Sequence, residues 1–173
     1  MGAASEDRIH RRGARVLLVS HEENEPRLLM VRGHDPHDPG RYFWFTPGGG
    51  LEAGETMRAA AIRELAEETG HVLLDDELVG PVWRRTAVFD FASRPYTQFE
   101  EIFVGLHAHA ASRSRTDAAW TEIELETIDE VAWLTERELR ESSIEVFPAQ
   151  LRESWTWFLD WDGVTRDLGE VDE

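Results

Sequence analysis

Three glutamates, Glu64, Glu67 and Glu68, fall within five residues, directly behind Arg63, in the stretch "RELAEE". At helical i, i+4 spacing, like charges cost about 0.2–0.5 kcal/mol per pair, so the cluster calls for either open solvent or a cation. Oxygen donors at this density suit hard divalent ions such as Mg²⁺, which are commonly held by carboxylates together with substrate phosphates. Upstream, Gly48, Gly49 and Gly50 let backbone approach a ligand closely, and they lead into a helix whose free N–H groups favour an anion. The two features together point to metal-assisted chemistry on a phosphate. Taken alone, "RELAEE" reads as a solvated helix face with an Arg63–Glu67 pair, and it is the glycines beside it that favour the metal.

The elements that must position these groups follow from the flanking pattern. Thr56 is an N-cap candidate for a helix running to about Thr69, and Gly70 supplies a left-handed stop. On that helix Ala59, Ile62, Leu65 and Ala66 share one face, and the three glutamates fall within an arc of about 100° on another, converging away from the core. Ahead of it, Val16–Val19 and Leu28–Val31 read as strands around the polar "SHEENEP". "RGHDPHDPG", residues 32–40, reads as an exposed loop, and "RYFWF" as a short aromatic strand ended by Pro47 and the glycines. Beyond the helix, "PVWRRTAVFDF" and "TQFEEIFVGLHAH" form a hairpin around "ASRP". "DEVAWLT" is a further strand and "TERELRES" a short helix. "PAQLRESWTWFLDW" is a final helix with Leu151, Trp155, Phe158 and Leu159 on one side. Without a repeat or linker, residues 1–173 form one domain, with residues 1–11 and 164–173 as flexible tails.

Composition limits the partners. Lys plus Arg is 18 against 35 Asp plus Glu, a formal charge of −17 that repels nucleic-acid polymers and anionic membranes alike. A small anionic substrate fits only where metal ions or local arginines reverse the field. There is no cysteine, so disulfides, thiolate metal sites and a cysteine nucleophile are excluded. No run reaches the roughly 18 apolar residues of a membrane span, and Val16–Val19 is too short for a signal peptide; both readings favour a cytoplasmic protein.

Residues 49–71 resemble the Nudix box, Gx5Ex7REUxEExGU with U apolar. Gly49, Glu55, Arg63, Glu64, Leu65, Glu67, Glu68 and Gly70 occupy its positions, and only His71 departs from it. "FWFTPGGGLEAGE" and "DEVAWLTERELRE" are similar to segments of the same family on either side. The resemblance implies an α/β Nudix fold, an α/β/α sandwich around a mixed β-sheet, and hydrolysis of a pyrophosphate bond in a nucleotide or a nucleoside diphosphate linked to another moiety. It further implies that Glu64, Glu67 and Glu68 bind Mg²⁺ or Mn²⁺, with the Gly49 carbonyl as a further ligand, and that Arg63 orients Glu55 or Glu52. The general base stays open among Glu67, Glu68, Glu100 and Glu101. Strand alternation lets only one of Glu100 and Glu101 face the cleft. The alternative is a nucleotide or ADP-ribose sensor on the same fold that no longer cuts, and the intact "RELAEE" argues against it.

Other side chains are candidates for contact with a small nucleotide-type substrate. Trp44, with Phe43 and Phe45, could stack on a base, and Arg84 or Arg85 could grip terminal phosphates. His34 and His37 lie in the 32–40 segment, and His107 and His109 alternate like a metal pair. Trp157 and Trp161, at i, i+4, are candidates for a homodimer contact.

Overall fold

A computed structural model of the chain describes residues 8–21, 24–107 and 120–173. The strands are β1 (Ile9–Ser20), β2 (Arg27–Asp35), β3 (Asp38–Phe45), β4 (Gly48–Gly50), β5 (Leu78–Phe91), β6 (Arg94–His107), β7 (Ile128–Thr135), β8 (Glu145–Phe147) and β9 (Arg166–Asp172). The helices are α1 (Met57–Thr69), α2 (Glu122–Thr127), α3 (Glu136–Glu141) and α4 (Thr156–Leu159). The strands join in one mixed sheet in the order β8-β3-β2-β1-β6-β5-β9, with β4 added to β1 and β7 to β2.

Alternation along β1 builds a core on each side of this sheet. Ala14, Val16 and Leu18 pack under α1 with Ala60, Ala61 and Leu65. Leu17 and Val19 face the opposite core, which holds Trp83, Ile102, Trp155 and Phe158. Trp157 stacks on Trp83 with ring centroids 3.3 Å apart, and Trp161 donates its indole N–H to the Val164 carbonyl.

The sheet opens where the site lies. β1 and β2 are in register only at Val19–Leu28 and Ser20–Arg27, then diverge. The three-glycine strand β4 fills in beside β1, with Gly49 opposite Ala14. α1 starts at Thr56, whose hydroxyl accepts the Ala59 N–H at 3.1 Å, and stops at Gly70, which has φ 76°. Both caps match the sequence expectation.

Several expectations change. Residues 32–40 are not a loop: β2 and β3 run through them and leave a turn at Pro36–His37. The final helix breaks into a 3-10 turn at Ala149–Arg152 and the single turn of α4, and Trp155 between them is buried with its indole bonded to the Leu151 carbonyl. Residues 166–172 are strand β9, parallel to β5, and not a tail. The mostly polar sequence "RDLGEVD" lies at an edge, where backbone pairing with β5 holds it and Leu168 packs against the core. Of the expected N-terminal tail, Ile9–Arg11 belong to β1, and residues 1–7 lie outside the described residues.

Candidate active site

The buried stripe of α1 runs through Met57, Ala60, Ala61, Glu64, Leu65 and Glu68. Two of the three glutamates therefore sit at the buried edge of the helix, 8% and 4% exposed, and do not converge away from the core. Missing side chains make the room. A Cβ on Gly49 would lie 2.6 Å from the Glu64 carboxylate, and the Gly48 N–H donates to Glu68 Oε2 at 2.8 Å. Gly49→Ala is expected to push Glu64 out of place, with an overpacking cost of about 1–3 kcal/mol and a loss of Mg²⁺ affinity of about 10–100-fold. Melting temperature and calorimetric Mg²⁺ titration measure the two effects; wild-type values in both would refute the steric account.

A third carboxylate joins from α2. One oxygen each from Glu64, Glu68 and Glu124 lie within 4.8 Å of one another. Trp120, just ahead of α2, donates its indole N–H to the Glu68 carbonyl at 2.7 Å and so docks the segment on α1. Thr121 and Glu124 form a capping box that fixes the glutamate at the helix start. Sequence reasoning passed over Glu124. Its signal was the "TEIE" capping box after an isolated tryptophan, but a cap alone does not say what its glutamate faces.

Glu67 is turned outward and is not part of this cluster. Arg63 Nη1 donates both to Glu67 (3.0 Å) and to Glu64 (2.9 Å), so the two carboxylates share one nitrogen. The same guanidinium holds Glu55 with two bonds, at 2.8 and 2.9 Å, and donates to the Gly50 carbonyl at 2.9 Å. Glu52 is more distant, at 4.0 Å, so Glu55 is the glutamate that Arg63 orients. These bonds hold the Glu55 carboxyl below its ordinary range, and Arg63 is fixed as a cation.

Burial pushes the Glu68 carboxyl well above its ordinary range, and Glu64 and Glu124 push the same way against the Gly48 N–H and Arg15. Burial also raises Glu64, with Arg63 opposing and Glu67 and Glu124 adding to the rise. Two carboxyls held above their ordinary range beside a third carboxylate are a poor arrangement alone and a good one around a divalent cation. The oxygen-only donor set and the cradle left open by Gly49 fit such an ion.

Beside the cluster lies a cavity of about 240 Å³. Glu68 and Glu124 line one end, Phe43, Phe45, Phe89, Phe91 and Phe147 form apolar walls, and Arg11, Arg15 and Arg41 supply positive charge. Its frame is tied across two hairpins. Arg41 Nη1 donates to the Asp90 carbonyl at 3.1 Å, while Asp35 accepts the His37 and Ala92 N–H groups at 2.8 and 3.3 Å.

The remaining candidates fall elsewhere. Trp44 points to the other side of β3 and packs against the core, one residue out of step with the cavity-lining Phe43 and Phe45. Arg84 pairs with Glu101 at 3.0 Å, and neither lines the cavity. Arg85 is buried against Glu100 at 2.7 Å and does not reach the cavity either. Glu100 is fully buried: Oε1 accepts from Arg15 at 2.6 Å and from Gln98, and Oε2 from Arg85. Burial alone would raise Glu100, but the two arginines outweigh it and hold the carboxyl at about 2, which removes Glu100 as a general base. His34 bonds Asp129 and His37 bonds Ser93. His109 lies outside the described residues, so the His107–His109 pair has no placement. His71 is buried edge-on against Trp133, which explains how an imidazole serves at an apolar position of the motif.

Comparison with known proteins adds to this geometry. The family model described as NUDIX domain matches residues 9–155. The chain is 30% identical over 115 residues to "Dihydroneopterin triphosphate diphosphatase" of Escherichia coli (strain K12), covering 66% of this chain and 67% of that protein. Among solved structures, a NUDIX hydrolase from Alicyclobacillus acidocaldarius aligns with TM-score 0.57 and 15% identity over 84% of this chain and 90% of that one. The C. elegans Ap4A hydrolase aligns with TM-score 0.55 and 14% identity, covering 87% and 99%. At these identities the structural likeness speaks for the fold. Among the described residues, no helix is long and apolar enough to cross a membrane.

Proposed function

Because the chain belongs to the NUDIX domain family, we propose that it is a hydrolase that uses Mg²⁺ or Mn²⁺ to cut a phosphoanhydride bond in a nucleoside triphosphate or a similar polyphosphate bearing a flat ring. The observation that carries this reading is the meeting of Glu64, Glu68 and Glu124 within 4.8 Å, with Glu68 and Glu124 also lining a phenylalanine-walled cavity. The relative named a triphosphate diphosphatase supports the choice of a triphosphate. The three clustered carboxylates favour cutting over mere sensing. We also take residues 1–173 as one working domain and a cytoplasmic setting as the natural one for such a substrate.

In this reading Glu64, Glu68 and Glu124 hold the divalent cation, and Gly49 acts by leaving space for Glu64. When bound, the cation polarises the phosphoryl oxygens and offsets charge that develops as the bond breaks. Arg15 binds a phosphate oxygen through Nη2, since its other nitrogens are taken by Glu100 and the Thr46 carbonyl. The phenylalanines receive the ring and exclude water around it. Arg63 holds the loop and both flanking glutamates in register. Glu67, the outermost carboxylate, receives the proton from the attacking water at an Oε atom.

The test is a panel of nucleoside triphosphates, pterin triphosphates, dinucleoside polyphosphates, ADP-ribose and sugar nucleotides with Mg²⁺ or Mn²⁺, with products resolved by mass spectrometry. Release of pyrophosphate or phosphate from a ring-bearing triphosphate is the expected result; binding without cleavage across the whole panel would return the sensor. Metal affinity should also depend on pH. Glu64 and Glu68 are raised, so they must lose protons that the metal-free site retains, and Mg²⁺ affinity should climb as pH rises above the ordinary carboxylate range. Calorimetric Mg²⁺ titrations at several pH values check this, and affinity that stays flat with pH would contradict it.

A further inference from the structure

Four charges lie in a buried line on the cavity side of β1, β6 and β5. Arg15 meets Glu100 at 2.6 Å, Glu100 meets Arg85 at 2.7 Å, and both terminal nitrogens of Arg85 grip Glu173, one of them at 3.2 Å. Arg85 and Glu100 are 1% and 0% exposed, and Glu173 is 10% exposed. Glu173 follows β9, outside the stretch that matches the family model, and also lines the cavity. Its backbone N–H donates to the Val88 carbonyl at 2.9 Å, which extends the pairing of β9 with β5 and delivers the side chain on a strand.

We propose that Glu173 is a positioning residue of the cleft: by satisfying Arg85 it frees Glu100 to hold Arg15 in the pose that binds a substrate phosphate. The proposal rests on the reading of the cleft as a phosphoanhydride hydrolase site. Its basis is a shortage of acceptors. Glu100 has two oxygens and receives from Arg15, Gln98 and Arg85. Arg85 Nε uses one Glu100 oxygen, and among the described residues Glu173 is the acceptor for its two terminal nitrogens. Without Glu173, a buried guanidinium would face Glu100 as its sole carboxylate, and the favoured geometry is a two-pronged grip on both Glu100 oxygens. That grip takes Oε1 away from Arg15. Arg15 would keep only Nη1 on the Thr46 carbonyl at 2.9 Å and would be free to swing about the cavity beside Glu68. With Glu173 present the line holds two positive and two negative charges, and Arg15 Nη2 has no partner among the described residues and is left for the ligand.

The test compares wild type with Glu173→Gln and Glu173→Asp. The first readout is the Arg15 side-chain Nε–H resonance in ¹⁵N-labelled protein, which needs neither metal nor substrate. It is expected to be slow to exchange in wild type, to broaden or exchange faster in Glu173→Gln, and to return in Glu173→Asp. The second is steady-state kinetics on a cleaved triphosphate with Mg²⁺, where Glu173→Gln should raise KM about tenfold with little change in kcat, and Glu173→Asp should recover most of it. An unmoved Arg15 resonance overturns the proposal, as does an unchanged KM. A lower KM in Glu173→Gln also overturns it, because the cavity-lining Glu173 carboxylate would then be repelling the anionic substrate instead of helping to hold Arg15 for it. Should wild type cleave nothing, the hydrolase reading fails by itself, and the resonance comparison still decides whether Glu173 positions Arg15.

Discussion

Glu68→Gln is expected to abolish metal-dependent hydrolysis and, in the absence of metal, to make the protein more stable. The loss of rate should be on the order of 10²–10³-fold or more, the scale seen when one preorganised electrostatic contact to a transition state is removed. The gain in stability comes from the same carboxyl. Burial raises its folded-state pKa above the unfolded value, so the stability that goes with its neutral form is complete below the ordinary carboxylate range and is lost as pH rises through the raised value. Glutamine is neutral throughout, and its oxygen can still accept the Gly48 N–H. The variant should therefore unfold at a higher temperature than metal-free wild type at pH 8, and the two should converge near pH 4. Added Mg²⁺ should reverse the order, since ligand that binds only the folded wild type stabilises it by mass action. Calorimetric melting with and without Mg²⁺, together with initial rates, checks every part. A variant that keeps wild-type turnover, or that melts below metal-free wild type at pH 8, would refute the proposed role of Glu68 as a metal ligand.

How much of this the sequence could say depends on whether the controlling interaction was local. The helix that carries the glutamates is set by its own caps, Thr56 and Gly70, and was readable from them. The pairing of Arg63 with a glutamate of the preceding loop was readable through the family resemblance as far as Glu55 or Glu52, and the 2.8 Å bond to Glu55 against 4.0 Å to Glu52 selects between them. Which glutamates turn inward was not. That is decided by the absence of a side chain at Gly49 on a different element, which draws Glu64 to the buried edge and leaves Glu67 on Arg63. Glu124 was missed because its place depends on the Trp120 indole finding a carbonyl 52 residues earlier. Trp44 and Phe43 differ by one position on a strand with a period of two, so an error of one residue exchanges core for cavity. β9 carries little apolar alternation and looks like a tail until β5 is present to pair with it.

The buried ion line makes the second large effect a matter of stability. Glu100→Gln is expected to destabilise the fold by on the order of 3–5 kcal/mol at pH 7, the usual cost of removing one partner from a buried ion pair. The Glu100 carboxyl gives a separate estimate. It is held at about 2 against an ordinary value of 4.5, which corresponds to roughly 3 kcal/mol of linked stability. Its folded pKa is depressed, so this contribution is present above the ordinary carboxylate value and is lost as pH falls from about 4.5 toward 2. The difference between wild type and Glu100→Gln should therefore be largest at neutral pH and shrink in acid, as it does for Glu68→Gln, but with the opposite sign: Glu100→Gln is the less stable of its pair and Glu68→Gln the more stable. Much of the cost is borne by Arg85, which is 1% exposed and, among the described residues, would keep Glu173 as its one carboxylate partner. Adding Arg85→Met in the Glu100→Gln background should then restore part of the loss, because an apolar side chain of similar length leaves no uncompensated charge. Urea unfolding of the wild type, the single variants and the pair gives the coupling directly. If Glu100→Gln costs less than about 1 kcal/mol, as a solvent-exposed pair would, the line is not the buried network described, and Arg15 must be held in the cleft by Thr46 alone.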